Sequence, residues 1–183
     1  MRFAFSDDQL LLQSTVRDFL KKECTPDVVR ALWATEIDHD ATLWSKLAEL
    51  GVCGALVPDA QGGMGLDERD LVLLLEETGR AALPAPVVAT AAVGAPLLRD
   101  ANVAALGDAW LPRVAAGDAI LAVGHPANPF VADAGVADLL LLARGDLETS
   151  PSGEVHRRAL GVDHRVRVRA TRQLRDELAA VGG

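Results

Sequence analysis

The side chains that most often carry chemistry are few in this chain, and they do not stand at catalytic spacing. Glu76 and Glu77 are adjacent. Neighbouring residues on a helix point about 100° apart, so these two acids cannot form a facing acid–base pair, and we expect one to pair with Arg80. The four histidines have no acid or cysteine at ligand spacing, and His125 precedes a proline, as surface histidines often do. We assign no catalytic residue and no metal ligand.

The two cysteines, Cys24 and Cys53, are the remaining reactive side chains. They do not form a C-x-x-C motif and no histidine stands near them at ligand spacing. We predict two buried or half-buried thiols in a reducing cytoplasm, with a structural disulfide as the alternative.

A glycine-rich stretch, Gly62, Gly63 and Gly65, follows a turn marked by proline. Such a stretch can expose amide groups that bind phosphate. However, it lacks the Lys-Ser/Thr end of a phosphate-binding P-loop and follows a helix rather than a strand. Asp67 then fits the N-cap of the next helix. The pattern therefore favours a structural corner between the third and fourth helices.

The amino-acid composition limits the classes of protein to which this chain can belong. Half of the 183 residues are hydrophobic, and aromatic residues make up only 4%, so the apolar mass is largely alanine, leucine and valine, which favours closely packed helices. The net charge of −8 argues against a nucleic-acid surface. No apolar run reaches the length of a signal peptide or a membrane span, so we expect a soluble, cytoplasmic protein.

Capping signals and apolar periodicity predict six helices within residues 1–118. In the fourth of these helices, apolar residues cover more than one face, so we predict that it is the most buried helix; these residues are Leu71, Val72, Leu74, Leu75 and Thr78. Short connections between the helices indicate a bundle, so we predict a mainly α domain over residues 1–118. The predicted helix starts are Ser6, Thr25, Asp40, Asp67, Pro86 and Asn102.

The pattern changes after residue 118. Short apolar or alternating runs at 119–124, 137–143 and 164–170 predict three strands, and 171–181 predicts a terminal helix. We interpret residues 119–183 as a short, incomplete β segment, a second unit with an arginine-rich end. That end could bind an acidic partner, or simply be a solvated face.

Four stretches carry the most specific pattern of the chain: FSDDQLLLQSTVRDFL, LWSKLAELGVCGALVPDAQGGMGL, LVLLLEETGRAALPAPVVATA and AWLPRVAAGDAILAVGHP. In this order and spacing, they resemble the acyl-CoA dehydrogenase family of flavoenzymes. The resemblance covers residues 1 to about 126. It implies a helical N-terminal domain, then a middle β domain and a C-terminal helical domain.

The resemblance also implies FAD as cofactor and an acyl-CoA thioester as substrate. With such a substrate, the arginine-rich end could also bind the 3'-phosphate of coenzyme A. It places the flavin beside the first β strand, which makes Leu121, Val123 and Gly124 the expected cofactor contacts. Here Leu121 replaces an aromatic residue, Gly124 a hydroxyl residue and His125 an acid of the family pattern. The family's carboxylate base lies in the C-terminal domain and matches no residue of this chain.

The fifth helix lines the acyl cavity in relatives. This resemblance implies that Val87, Thr90, Ala91 and Gly94 contact the acyl chain. The alternative is ordinary close helix packing through small side chains.

From the resemblance we expect a flavoprotein subunit or fragment for the α,β-dehydrogenation of an acyl-CoA thioester, inactive alone. A longer acyl-CoA dehydrogenase chain would complete it in a homo- or hetero-oligomer, and neither nucleic acid nor membrane is expected as a partner. The alternative is a non-enzymatic helical module for protein contacts, or a gene remnant.

Overall fold

A computed structural model of the chain describes residues 4–34, 40–100, 104–125, 131–143 and 166–170. This part is mainly α, as predicted, and its helices carry the first strands of a small sheet. The helices are α1 (Asp7–Glu23), α2 (Pro26–Trp33), α3 (Ala41–Glu49), α4 (Glu68–Arg80), a π-helix (Val88–Gly94) that continues as α5 (Ala95–Asp100), and α6 (Ala104–Ala116). The strands are β1 (Leu121–Gly124), β2 (Leu139–Ala143) and β3 (Val166–Ala170).

Local capping explains where the helices begin. Ser6 Oγ accepts a hydrogen bond from the amide of Gln9, and Gln9 Oε1 accepts one from the amide of Ser6, which forms a capping box. Thr25, Asp40 and Asp67 cap α2, α3 and α4 through their side-chain oxygens. These four predicted starts are confirmed. Asn102, the predicted cap of α6, lies outside the described residues.

The first core cluster joins α1 and α4 to α2, α3, the segment after α3 and the start of the π-helix. Val16 and Leu20 of α1 share this cluster with Leu71 and Leu74 of α4, and all four are at most 3% exposed. One apolar side chain of α4 lies outside this core, because Val72 is 55% exposed. Its position on α4 faces away from both α1 and the core.

The glycine-rich stretch forms a corner that includes a short 3₁₀ turn, Asp59–Gln61. Gly62 and Gly65 adopt φ angles of 82° and 61°, the left-handed region that favours glycine. The amides of Gly63 and Gly65 donate to the carbonyls of Pro58 and Val57, at 3.1 and 2.9 Å. Both amides are therefore already hydrogen-bonded within the corner, which favours a structural role over a phosphate-binding site.

The three predicted strands form one sheet in the order β1-β2-β3. β1 is parallel to β2, with Leu121 opposite Leu139, and β2 is antiparallel to β3. Apolar side chains of β1 and β2 are buried in a second core cluster with α5 and α6, so the helices cover a sheet too small to stand alone. The predicted terminal helix at 171–181 lies outside the described residues. The division after residue 118 stays a prediction, because β1 packs directly on the π-helix.

Candidate functional site

The π-helix and β1 meet at a junction that contains most of the predicted site residues. A π-helix has a wider turn than an α-helix and often marks a functional position. Here it spans Val88–Gly94, directly after the Pro84–Pro86 turn. One side faces the core, while Val88 and Val93 on the other side are 57% and 38% exposed.

Thr90 links the π-helix to the main chain of β1. Its hydroxyl donates to the carbonyl of Leu121 at 3.1 Å, and its Oγ1 accepts from the amide of Leu121 at 3.0 Å. Both residues are fully buried. A neighbouring strand would normally satisfy these two backbone groups, so a single side chain replaces that strand at Leu121.

The same edge of β1 continues to Val123. In a parallel ladder, alternate residues bond to the neighbouring strand. The carbonyl of Ile120 accepts a hydrogen bond from the amide of Leu139 in β2 at 3.3 Å. The amide and carbonyl groups of Leu121 and Val123 therefore point away from β2. The amide and carbonyl of Val123 are therefore the next pair after the groups that Thr90 bonds.

Gly94 brings the helix and strand into close contact. A methyl group at this position would lie 2.7 Å from Leu121 Cδ1 and 2.9 Å from Leu121 Cβ. Val87 and Ala91, on the same face, are at most 1% exposed. All four predicted acyl contacts are thus buried in helix packing within the described residues. Their contact with an acyl chain stays a prediction.

The predicted flavin contacts differ in accessibility. Leu121 and Gly124 are buried, Val123 is half-buried, and His125 is exposed at the end of the strand. A role for the Leu121 side chain would require access to the core. The main chain of Val123 and the glycine after it are better placed, because Gly124 has no side chain to obstruct a planar ligand. Their contact with flavin also stays a prediction.

A second polar cluster, which the sequence analysis did not identify, surrounds Glu77 between α1 and α4. The Glu77 carboxylate accepts from Gln13 Nε2 at 2.9 Å and from Arg17 Nη2 and Nε at 2.6 and 3.0 Å. Arg80 pairs with Glu77 at 3.2 Å and with Glu76 at 2.8 Å, so the predicted pairing is confirmed and involves both acids. The hydrogen bonds from Arg17 lower the pKa of Glu77, although burial opposes this.

A pocket of about 250 Å³ lies beside this cluster. Arg17 and Arg80 on its wall are already paired with Glu77. The Cys24 thiol donates to the carbonyl of Ala81 at 3.7 Å, and burial raises its pKa, which keeps it protonated. We assign the pocket no chemistry. Its lining residues are Arg17, Leu20, Lys21, Cys24, Thr25, Pro26, Glu77, Arg80 and Ala81.

The remaining predictions concern the second cysteine, a metal site and a membrane-spanning helix. Cys53 is also buried, is not in a disulfide, and has its pKa raised to about 12 by burial. Among the described residues, His, Cys, Asp and Glu side chains form no group of three that could hold a metal. Within the described ranges, every helix is too short or too polar to cross a bilayer.

Comparison with known proteins identifies what the helical part is similar to. The family model "Acyl-CoA dehydrogenase, N-terminal domain" matches residues 6–118. Acyl-CoA dehydrogenase IpdE2 of Mycolicibacterium smegmatis is 32% identical over 146 residues, covering 79% of this chain and 45% of the relative. IpdE2 of Mycobacterium tuberculosis is 30% identical over 75% of this chain and 42% of the relative. The chain therefore spans less than half the length of these relatives.

Solved structures show the same partial coverage. The Tcur3481-Tcur3483 steroid ACAD G363A variant is 28% identical, with a TM-score of 0.68 over 80% of this chain and 46% of that chain. The ChsE4-ChsE5 complex from Mycobacterium tuberculosis gives a TM-score of 0.74 over 93% of this chain and 49% of that chain. At 21% identity, the second likeness shows the fold alone.

Proposed function

The chain belongs to the acyl-CoA dehydrogenase family, whose N-terminal domain matches residues 6–118, and from this premise we propose that it forms the N-terminal part of a flavoprotein that dehydrogenates acyl-CoA thioesters. FAD, when bound, would accept the hydride that leaves the β carbon of the acyl group. The observation that carries the proposal is the junction at Thr90. Two hydrogen bonds between the Thr90 hydroxyl and the main chain of Leu121 hold the first β strand on the π-helix, so the two elements form one unit beside the expected flavin position.

The end of β1 fits the cofactor through its main chain. Val123 directs its amide and carbonyl to the side of the strand opposite β2, and it is only half-buried. Gly124 is itself buried, but it has no side chain that would keep a flat ring system from the backbone. We propose that these two residues contact the flavin and that the core face of the π-helix supports the wall of the acyl cavity.

Polypeptide outside these 183 residues must supply the catalytic base and the rest of the flavin site. The chain spans about half of the solved structures that it resembles. Two of those are named for pairs of proteins, Tcur3481-Tcur3483 and ChsE4-ChsE5. We therefore propose a partner dehydrogenase chain as the completing unit, in a homo- or hetero-oligomer. The cytoplasm is the proposed location, because two buried thiols that do not form a disulfide suit a reducing compartment.

Co-expression with such a dehydrogenase chain tests the proposal. The purified complex should show the visible absorption of bound flavin, and it should reduce an electron acceptor when an acyl-CoA is added. The chain purified alone should show neither property. If the complex and the chain alone both lack flavin after incubation with excess FAD, the proposal is wrong.

Ligand-induced stabilisation separates this function from a non-enzymatic module. A ligand at 100 times its dissociation constant adds about 2.7 kcal/mol to stability. A thermal-shift series on the complex with FAD, an acyl-CoA and free coenzyme A should therefore show clear upward shifts for the first two. No shift with any of them would favour the structural module or gene remnant.

A further inference from the structure

We propose that Thr90 is a positioning residue. Its hydroxyl fixes the position of the β1 main chain, through which Val123 and Gly124 would contact the flavin. The part of this inference that concerns flavin rests on the proposed function. The part that concerns the strand does not, and it can be tested without any cofactor.

The hydroxyl of Thr90 is directed to the strand rather than to its own helix. A threonine in a helix commonly donates to the carbonyl three or four residues earlier. Thr78 of α4 does this, because its hydroxyl donates to Leu75 at 2.9 Å. Thr90 instead bonds Leu121, 31 residues away, through both its donor and its acceptor.

Two contacts one helical turn apart restrain the same strand residue. Thr90 bonds the amide and carbonyl of Leu121, while Gly94 lies against the Leu121 side chain so closely that no methyl group would fit. Hydrogen bonds are directional and close contact limits distance. Sliding of the strand along the helix would therefore break the two hydrogen bonds. Movement of the strand toward the helix would make Leu121 overlap Gly94.

The restraint extends to the flavin end of the strand. Strand residues rise about 3.3 Å each, so the outward groups of Val123 lie roughly 7 Å beyond those that Thr90 bonds. On the other side, the ladder pairs Val123 with Leu141 of β2. A shift at Leu121 must therefore move Val123 as well, and any contact that depends on its main chain would change.

Removal of the hydroxyl tests the inference in the full chain with its completing dehydrogenase chain. Thr90→Val keeps the shape but leaves the buried amide and carbonyl of Leu121 without partners. We expect amide hydrogen exchange to rise about tenfold or more at Leu121 and at Ala122, whose amide faces β2 in the ladder, and the dissociation constant for FAD to rise about tenfold. Thr90→Ser keeps the hydroxyl and should restore both values to near wild type.

Thr78→Val is the matched control. Thr78 is also buried, at 7% exposure, but its hydroxyl bonds only its own helix. This variant should lose stability without changing FAD affinity or exchange at Ala122. If Thr90→Val does not fold, Thr90→Cys replaces it. A thiol is a weaker donor, so intermediate exchange is expected.

The outcomes separate the inference from the proposed function. If wild type binds no FAD, the proposed function fails, while faster exchange at Leu121 and Ala122 in Thr90→Val still supports the positioning of the strand. If wild type binds FAD and the Thr90 variants match Thr78→Val in affinity and exchange, Thr90 is a core residue only and the inference is overturned.

Discussion

The replacement of Glu77 by alanine tests how the buried polar cluster holds α1 on α4. The Glu77 carboxylate is 1% exposed and accepts hydrogen bonds from Gln13 and Arg17 across the helix interface. Glu77→Ala removes the acceptor for all of these donors at once. The amide of Gln13, itself 9% exposed, then has no described partner in the interface.

The expected loss of stability is about 3 kcal/mol. Breaking a buried ion pair by removing one partner costs about 3–5 kcal/mol, because the remaining charge is left unpaired. The lower end applies here, since the Arg17 side chain is 36% exposed and its guanidinium can turn towards water. The alanine also leaves a small cavity, which prevents the loss from falling far below this value.

Urea unfolding of the full chain measures the effect. Trp44 and Trp110 are each 4% exposed, so their fluorescence reports loss of the core. With a slope of about 2 kcal/mol per molar urea, the midpoint should fall by about 1.5 M.

Glu76→Ala is the matched control for this prediction. Its side chain is 52% exposed and pairs with Arg80 on the surface, so the loss should stay below about 0.5 kcal/mol. Equal losses for Glu76→Ala and Glu77→Ala would refute the reasoning that burial makes the Glu77 cluster strong.

Three further predictions follow from the same structure. The folded protein lowers the pKa of Glu77, so its ion pair stabilises the fold above the ordinary carboxyl pKa of about 4.3 and less as pH falls through the lowered value. The stability gap between wild type and Glu77→Gln should therefore narrow in urea curves below about pH 4. Gly63→Ala should destabilise by about 1–3 kcal/mol in the same assay, because its methyl group would overlap Val57, whereas Gly79→Ala meets no atom within 4 Å and should be neutral or stabilising. Cys53, fully buried and with its pKa raised to about 12, should react with a thiol reagent at pH 8 only as fast as the protein unfolds, and rapid labelling of the native chain would contradict this.

The sequence alone determined the helix starts and the run of secondary structure. Ser6, Thr25, Asp40 and Asp67 cap their helices through bonds to residues two or three positions away, so a local pattern is enough to predict them. The strands were predictable for a similar reason, because short apolar runs between turn residues are typical of β-strands. The order and spacing of the motifs also sufficed to recognise the family.

Only the tertiary structure decided which side chains meet. Arg17 and Glu77 are 60 residues apart, and Thr90 and Leu121 are 31 apart. Nothing in the local pattern around Glu77 distinguishes it from Glu76, yet one is buried in an ion pair and the other is exposed. Helical periodicity gives the angle of a side chain around its own axis, but not which neighbour faces it. That depends on how the helices and the strand pack, because packing brings distant donors and acceptors together and removes the water that would otherwise satisfy them.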